Sequence, residues 1–131
     1  MNGWDTNVLL RLFTADSPEQ SAAVARLLDG CGPASIRLTN IVLAEFVWTL
    51  SRSYKRDKRE IADVLELMLQ REEFVFENRS ALMTAIHWFG KGNADFADYL
   101  IAALNDEAGA SPTYTFDRSA AAFPVFALVP P

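Results

Sequence analysis

Asp5, Glu45, Asp98 and Asp117 are the residues of this chain whose types and surroundings most clearly promise chemistry. Asp5 follows Met1-Asn2-Gly3-Trp4 and opens Asp5-Thr6-Asn7. Glu45 interrupts the apolar run Ile41 to Trp48, Asp98 lies within Phe96 to Ala103, and Asp117 follows Tyr114-Thr115-Phe116. An ionised carboxylate among apolar neighbours is costly unless it is paired or bound to a cation. No lysine or arginine closely flanks Asp5, Glu45 or Asp98. The economical expectation is that the four converge and share divalent metal. An all-oxygen donor set suits Mg²⁺ or Mn²⁺ rather than zinc, with one or two ions held. Such an ion relieves the repulsion between crowded carboxylates and activates a bound water.

Each acid also has a plainer use. Asp5 heads a segment rich in capping residues, and Asp117 before Arg118-Ser119 suits an Asx turn. Asp95 and Asp98 are three apart, on one helical face, in a first turn where the helix dipole favours anions. Glu45 sits mid-helix and gains nothing from capping. The other reactive types are sparse: His87 is the only histidine and Cys31 the only cysteine. They lie far apart in sequence and make no persuasive nucleophile–base pair. No glycine-rich phosphate loop is present.

The elements that must position these acids can be read from capping signals and periodicity. A short helix is expected over Thr6 to Phe13. Ser17 caps a second, with Pro18 at its first position, running to about Asp29. Ala34 to Leu38 reads as a strand. Thr39 or Asn40 caps a helix that carries Glu45 to about Tyr54, and Asp57 caps the next, whose apolar face is Ile61, Val64, Leu65, Met68 and Leu69. Glu73 to Glu77 reads as a strand, Ser80 to Phe89 and Asp95 to Ala108 as helices, and Thr113 to Phe116 and Phe126 to Val129 as strands. Strands alternating with helices predict an α/β fold: a central, mainly parallel β-sheet of four to five short strands flanked by helices on both faces. Ligands in such sheets bind beyond the carboxyl ends of the strands, where Asp5 and Asp117 are expected.

The 131 residues suit one domain, spanning 1–131, and half of them are hydrophobic, enough for a core. No apolar run approaches the roughly 18 residues of a membrane helix, and no secretory leader is visible. A lone cysteine fits a reducing cytoplasm. The net charge of −5 argues against nucleic-acid binding by bulk positive charge. It leaves room for a local patch: Arg52, Lys55, Arg56, Lys58 and Arg59 fall within eight positions, and Arg118 adjoins Asp117. These six are candidate phosphate contacts.

Asp5-Thr6-Asn7, Leu43-Ala44-Glu45-Phe46-Val47-Trp48, Asp95-Phe96-Ala97-Asp98-Tyr99-Leu100-Ile101-Ala102 and Thr115-Phe116-Asp117-Arg118 occur in the order and spacing of a known family. Over nearly its whole length the chain resembles PIN-domain proteins, most of all the VapC-type toxins of type II toxin–antitoxin pairs. The resemblance implies a metal-dependent endoribonuclease, usually homodimeric, held inactive by a VapB-like antitoxin. It places Asp5, Glu45, Asp98 and Asp117 in the acidic quartet, Asp95 as an extra acid, and Asn7 and Thr115 as supporting polar residues. It also implies products with 5′-phosphate and 3′-hydroxyl ends. Two departures stand out. The stretch before Asp5 is short and poor in strand formers, and Ala120-Ala121-Ala122-Phe123-Pro124 offers few polar groups after the fourth acid. Two rivals remain in the sequence alone: an inactive PIN-like binding module, and a Mg²⁺-binding phosphoacceptor domain. The second needs a lysine late in the chain, and none follows Lys91.

Overall fold

The computed structural model describes residues 1–131. In chain order its elements are β1 (Asn2–Gly3), α1 (Thr6–Phe13), α2 (Pro18–Asp29), β2 (Ile36–Leu38), α3 (Asn40–Arg52), α4 (Lys58–Gln70), β3 (Phe74–Phe76), α5 (Arg79–Lys91), α6 (Phe96–Glu107), β4 (Thr113–Thr115), α7 (Arg118–Ala121) and β5 (Phe126–Leu128). Side-chain caps set most helix starts. Ser17 Oγ accepts from the Gln20 N–H ahead of Pro18, and Thr39 Oγ1 from the Val42 N–H. Asp57 and Glu60 form a reciprocal box, each side chain accepting the other's backbone N–H at 2.8 and 3.1 Å.

All strand pairings are parallel, as crossovers through helices require. They form two ladders rather than one continuous sheet: β1-β2-β3, and β4-β5. The sequence predicted four to five short, mainly parallel strands in one sheet; the five strands are parallel but divide into these two ladders. Asn2 and Gly3 pair with Ile36 and Arg37 on one side. Two residues, one of them glycine, give too little strand to hold a second neighbour. The short α7 was also not expected; its four residues carry no apolar period, and Asp117 alone nucleates it.

One cluster of 29 buried residues runs through the whole chain. Ile36 and Leu38 of β2 and Phe74 and Phe76 of β3 send alternate side chains into it, while Arg37 between them is exposed. Helix α6 packs on α5 and α3, and α3 also on α1, so the helix bearing Glu45 lies between the one that Asp5 caps and the one that bears Asp98. Tyr99, fully buried, fixes the start of α6. Its ring meets Phe123 and Phe126 edge-on or tilted, and its hydroxyl accepts from the Ala94 N–H at 3.1 Å. Gly92 is required there: a Cβ on it would overlap the Tyr99 hydroxyl and stand 2.9 Å from Cζ. No helix is long and apolar enough to cross a membrane.

Candidate active site

Asp5 and Asp117 occupy equivalent places. Each lies two residues beyond a strand, β1 or β4, and each caps the helix that follows. Asp5 Oδ1 accepts from the Val8 N–H at 3.0 Å; Asp117 Oδ1 accepts from the Ser119 N–H at 2.8 Å. Thr115 Oγ1 accepts the Asp117 N–H at 3.0 Å and so holds the turn. Both acids therefore serve structurally, but through one oxygen each. Glu45 is alike: its Oε1 accepts from Thr6 Oγ1 at 3.0 Å, which ties α3 to the residue after Asp5. Thr6 was not singled out from the sequence, although it sits inside Asp5-Thr6-Asn7.

The burial argument drawn from the sequence does not hold for these residues. Asp5, Glu45, Asp95 and Asp117 are exposed, and Asp98 is half-buried. Glu45 breaks an apolar run because the run is helical: Leu43, Phe46, Val47 and Leu50 point inward, while Ile41, Glu45 and Trp48 share the outer face.

Asp98 is the electrostatically distinctive acid. Its carboxyl is held above the usual range, first by partial burial, then by the like charge of Asp95, and also by that of Asp117. The Asp95 backbone N–H offsets part of this. The site thus has two halves: Asp98 is influenced by Asp95 and Asp117, and Glu45 is joined to the Asp5 segment through Thr6.

The donor chemistry suits a hard divalent cation, since Asp5 Oδ2, Asp117 Oδ2 and Glu45 Oε2 have no protein partner. No three His, Cys, Asp or Glu side chains come close enough to hold an ion by themselves. Asn7, expected to support the acids, lines a crevice together with Asp5, Arg11 and Gln20. Of the basic candidates, Arg56 pairs with Glu60 at 3.3 Å. Lys58 donates to the Gly92 carbonyl and lies over the Phe89 ring, so both are committed within the fold. Arg52, Lys55, Arg59 and Arg118 are exposed. Arg52 lines a cleft of about 100 Å³ between α3 and α6 that also holds Asp95 and Asp98. His87 is exposed and Cys31 half-buried, on different parts of the surface.

The family model for the PIN domain matches residues 4–125. The chain belongs to the PIN-domain family. Among solved structures it is similar to a Mycobacterium tuberculosis VapC20, described as a Sarcin-Ricin loop cleaving toxin. That likeness has 18% identity over 93% of this chain and 94% of the other, with a TM-score of 0.46. No curated protein matches the chain.

Proposed function

We propose that this PIN-domain chain is a Mg²⁺- or Mn²⁺-dependent endoribonuclease of the VapC type. The observation that carries the reading is the repulsion at Asp98, where Asp95 from the head of the same helix and Asp117 from beyond β4 both add like charge. A site that crowds like charges beside a cleft is suited to a cation and a phosphodiester. Asp5, Asp98 and Asp117 would hold the ion, with Glu45 as a further ligand or the group that orients water. The ion supplies a Lewis acid that activates water and offsets charge on the phosphodiester. Thr6 fixes the Glu45 carboxylate, and Thr115 fixes the turn that aims Asp117. Exposed Arg52, Lys55, Arg59 and Arg118 meet backbone phosphates, which favours single-stranded or looped RNA able to enter between them. Control by a VapB-like antitoxin, a homodimeric state and a cytoplasmic location complete the reading on the strength of the sequence resemblance.

A binding module without activity is the second reading, favoured by the lack of any three-acid grouping. One experiment separates the two. Asparagine caps a helix about as well as aspartate, so Asp5→Asn removes charge while keeping α1. Wild-type protein should cut single-stranded RNA with Mg²⁺ or Mn²⁺ and not in EDTA, and Asp5→Asn should be inactive but folded. Wild-type protein that neither cuts RNA nor gains thermal stability with metal overturns the nuclease.

A further inference from the structure

The cleft between α3 and α6 has features that metal binding leaves unexplained. Its floor is apolar, with Val47, Ile61 and Phe96 among the residues that line it. Trp48 stands at its mouth, 57% exposed. Arg52, one helical turn beyond Trp48, lines the same cleft as Asp95 and Asp98 yet forms no ion pair with either. Asp95 heads α6 but makes no side-chain cap, so its carboxylate is uncommitted.

We propose that this cleft receives one nucleobase of the RNA strand, and that the base is a pyrimidine, cytosine before uracil. The proposal rests on the nuclease reading and adds the specificity subsite to it. Four properties converge. A closed apolar cavity of ~150 Å³ holds benzene; this cleft of about 100 Å³ is smaller but open on one side, so it seats a single six-membered ring part-way more readily than the larger purine. Trp48 offers an indole face for stacking, an interaction open to any base. Asp95 then supplies selection: a carboxylate accepts from the N4 amino group of cytosine and repels the O4 of uracil. Arg52, free of carboxylate partners, takes the phosphate beside that base. The base would sit next to Asp98, so this subsite sets which phosphodiester meets the acids.

The test uses the full chain in EDTA, where RNA is bound and not cut. Oligocytidylate, oligouridylate and an abasic oligoribonucleotide of equal length are titrated against it, read by tryptophan fluorescence. Stacking on the exposed Trp48 quenches emission, whereas Trp4 is only 5% exposed and Trp88 is half-buried against Phe123 outside the cleft. Oligocytidylate should bind about 10-fold more tightly than oligouridylate, and the abasic strand most weakly, without quenching. Trp48→Ala should weaken oligocytidylate binding about 10-fold and abolish the quench, with Trp48→Phe keeping most of the affinity. Asp95→Asn should erase the cytosine preference. Equal affinity for all three strands on wild-type protein overturns the subsite without any variant. Unchanged RNA binding by folded Trp48→Ala also overturns it and leaves the cleft to a protein side chain. A cleavage arm with Mn²⁺ keeps the two readings apart. Cutting without base preference sinks the subsite alone. Quenching and preference without cutting sustain the subsite and sink the nuclease.

Discussion

Thr6 Oγ1 donates to Glu45 Oε1 across 3.0 Å, joining residues 39 apart in sequence and two different helices. It fixes one oxygen of Glu45 and leaves the other free beside the segment that carries Asp5. Thr6→Val keeps the shape of the side chain and removes the donor. Single-turnover cleavage with Mg²⁺ should fall by ~10-fold or more, within the range for residues that orient a ligand, while Thr6→Ser should restore most of the rate. Because the bond is exposed, the melting temperature should scarcely move. An equal rate in Thr6→Val would show that Glu45 needs no such positioning.

Asp98→Asn should separate activity from stability. The Asp98 carboxyl is pushed up by burial and by Asp95 and Asp117, so the folded state binds this proton more tightly than the unfolded chain does. Its contribution to stability is therefore full below the ordinary carboxylate range and is lost as pH rises through the folded value. At neutral pH, without metal, Asp98→Asn should melt higher than wild type, and the gap should close on acidification. Added Mg²⁺ should raise the wild-type melting temperature more than the variant's, and cleavage by the variant should be lost.

Much of this arrangement was legible in the sequence, for reasons that are local. Ser17-Pro18 and Asp57 announced their helices because an N-cap needs only a side-chain oxygen and the next turn. Glu45 was picked for a wrong reason, its apolar neighbours, when helical period places it on an exposed face with Ile41 and Trp48. The division of the strands into two ladders and the Thr6–Glu45 bond were not legible, because both depend on partners far along the chain. Asn7, expected beside the acids by its position in Asp5-Thr6-Asn7, shares a crevice with Asp5, Arg11 and Gln20.

Asp57 provides a control for the acids that both cap and carry charge. Like Asp5 and Asp117 it caps a helix, with its side chain at 2.8 Å from the Glu60 N–H, but it is no part of the acidic site. Asp57→Ala should cost about 1 kcal/mol of unfolding free energy, read by urea denaturation, with the cleavage rate per folded molecule unchanged. If Asp57→Ala and Asp117→Asn lost activity alike, helix capping rather than carboxylate chemistry would explain the loss.

Gly92→Ala tests whether the rigidity behind Asp98 matters. The added methyl would overlap the Tyr99 hydroxyl, and Tyr99 is fully buried between Phe123 and Phe126 with no open space to enter. Its hydroxyl also serves the Ala94 N–H, so displacing it unpairs a buried donor. Overpacking of this kind costs ~1–3 kcal/mol. Tyr99 follows Asp98 on the same turn of α6, so the shift should reach the site as well: lower cleavage at temperatures where the variant is fully folded. Tyr99→Phe combined with Gly92→Ala removes the overlapping oxygen and should recover part of both losses. A double variant no better than Gly92→Ala alone would place the cost elsewhere, in the Gly92 backbone or its contact with Lys58.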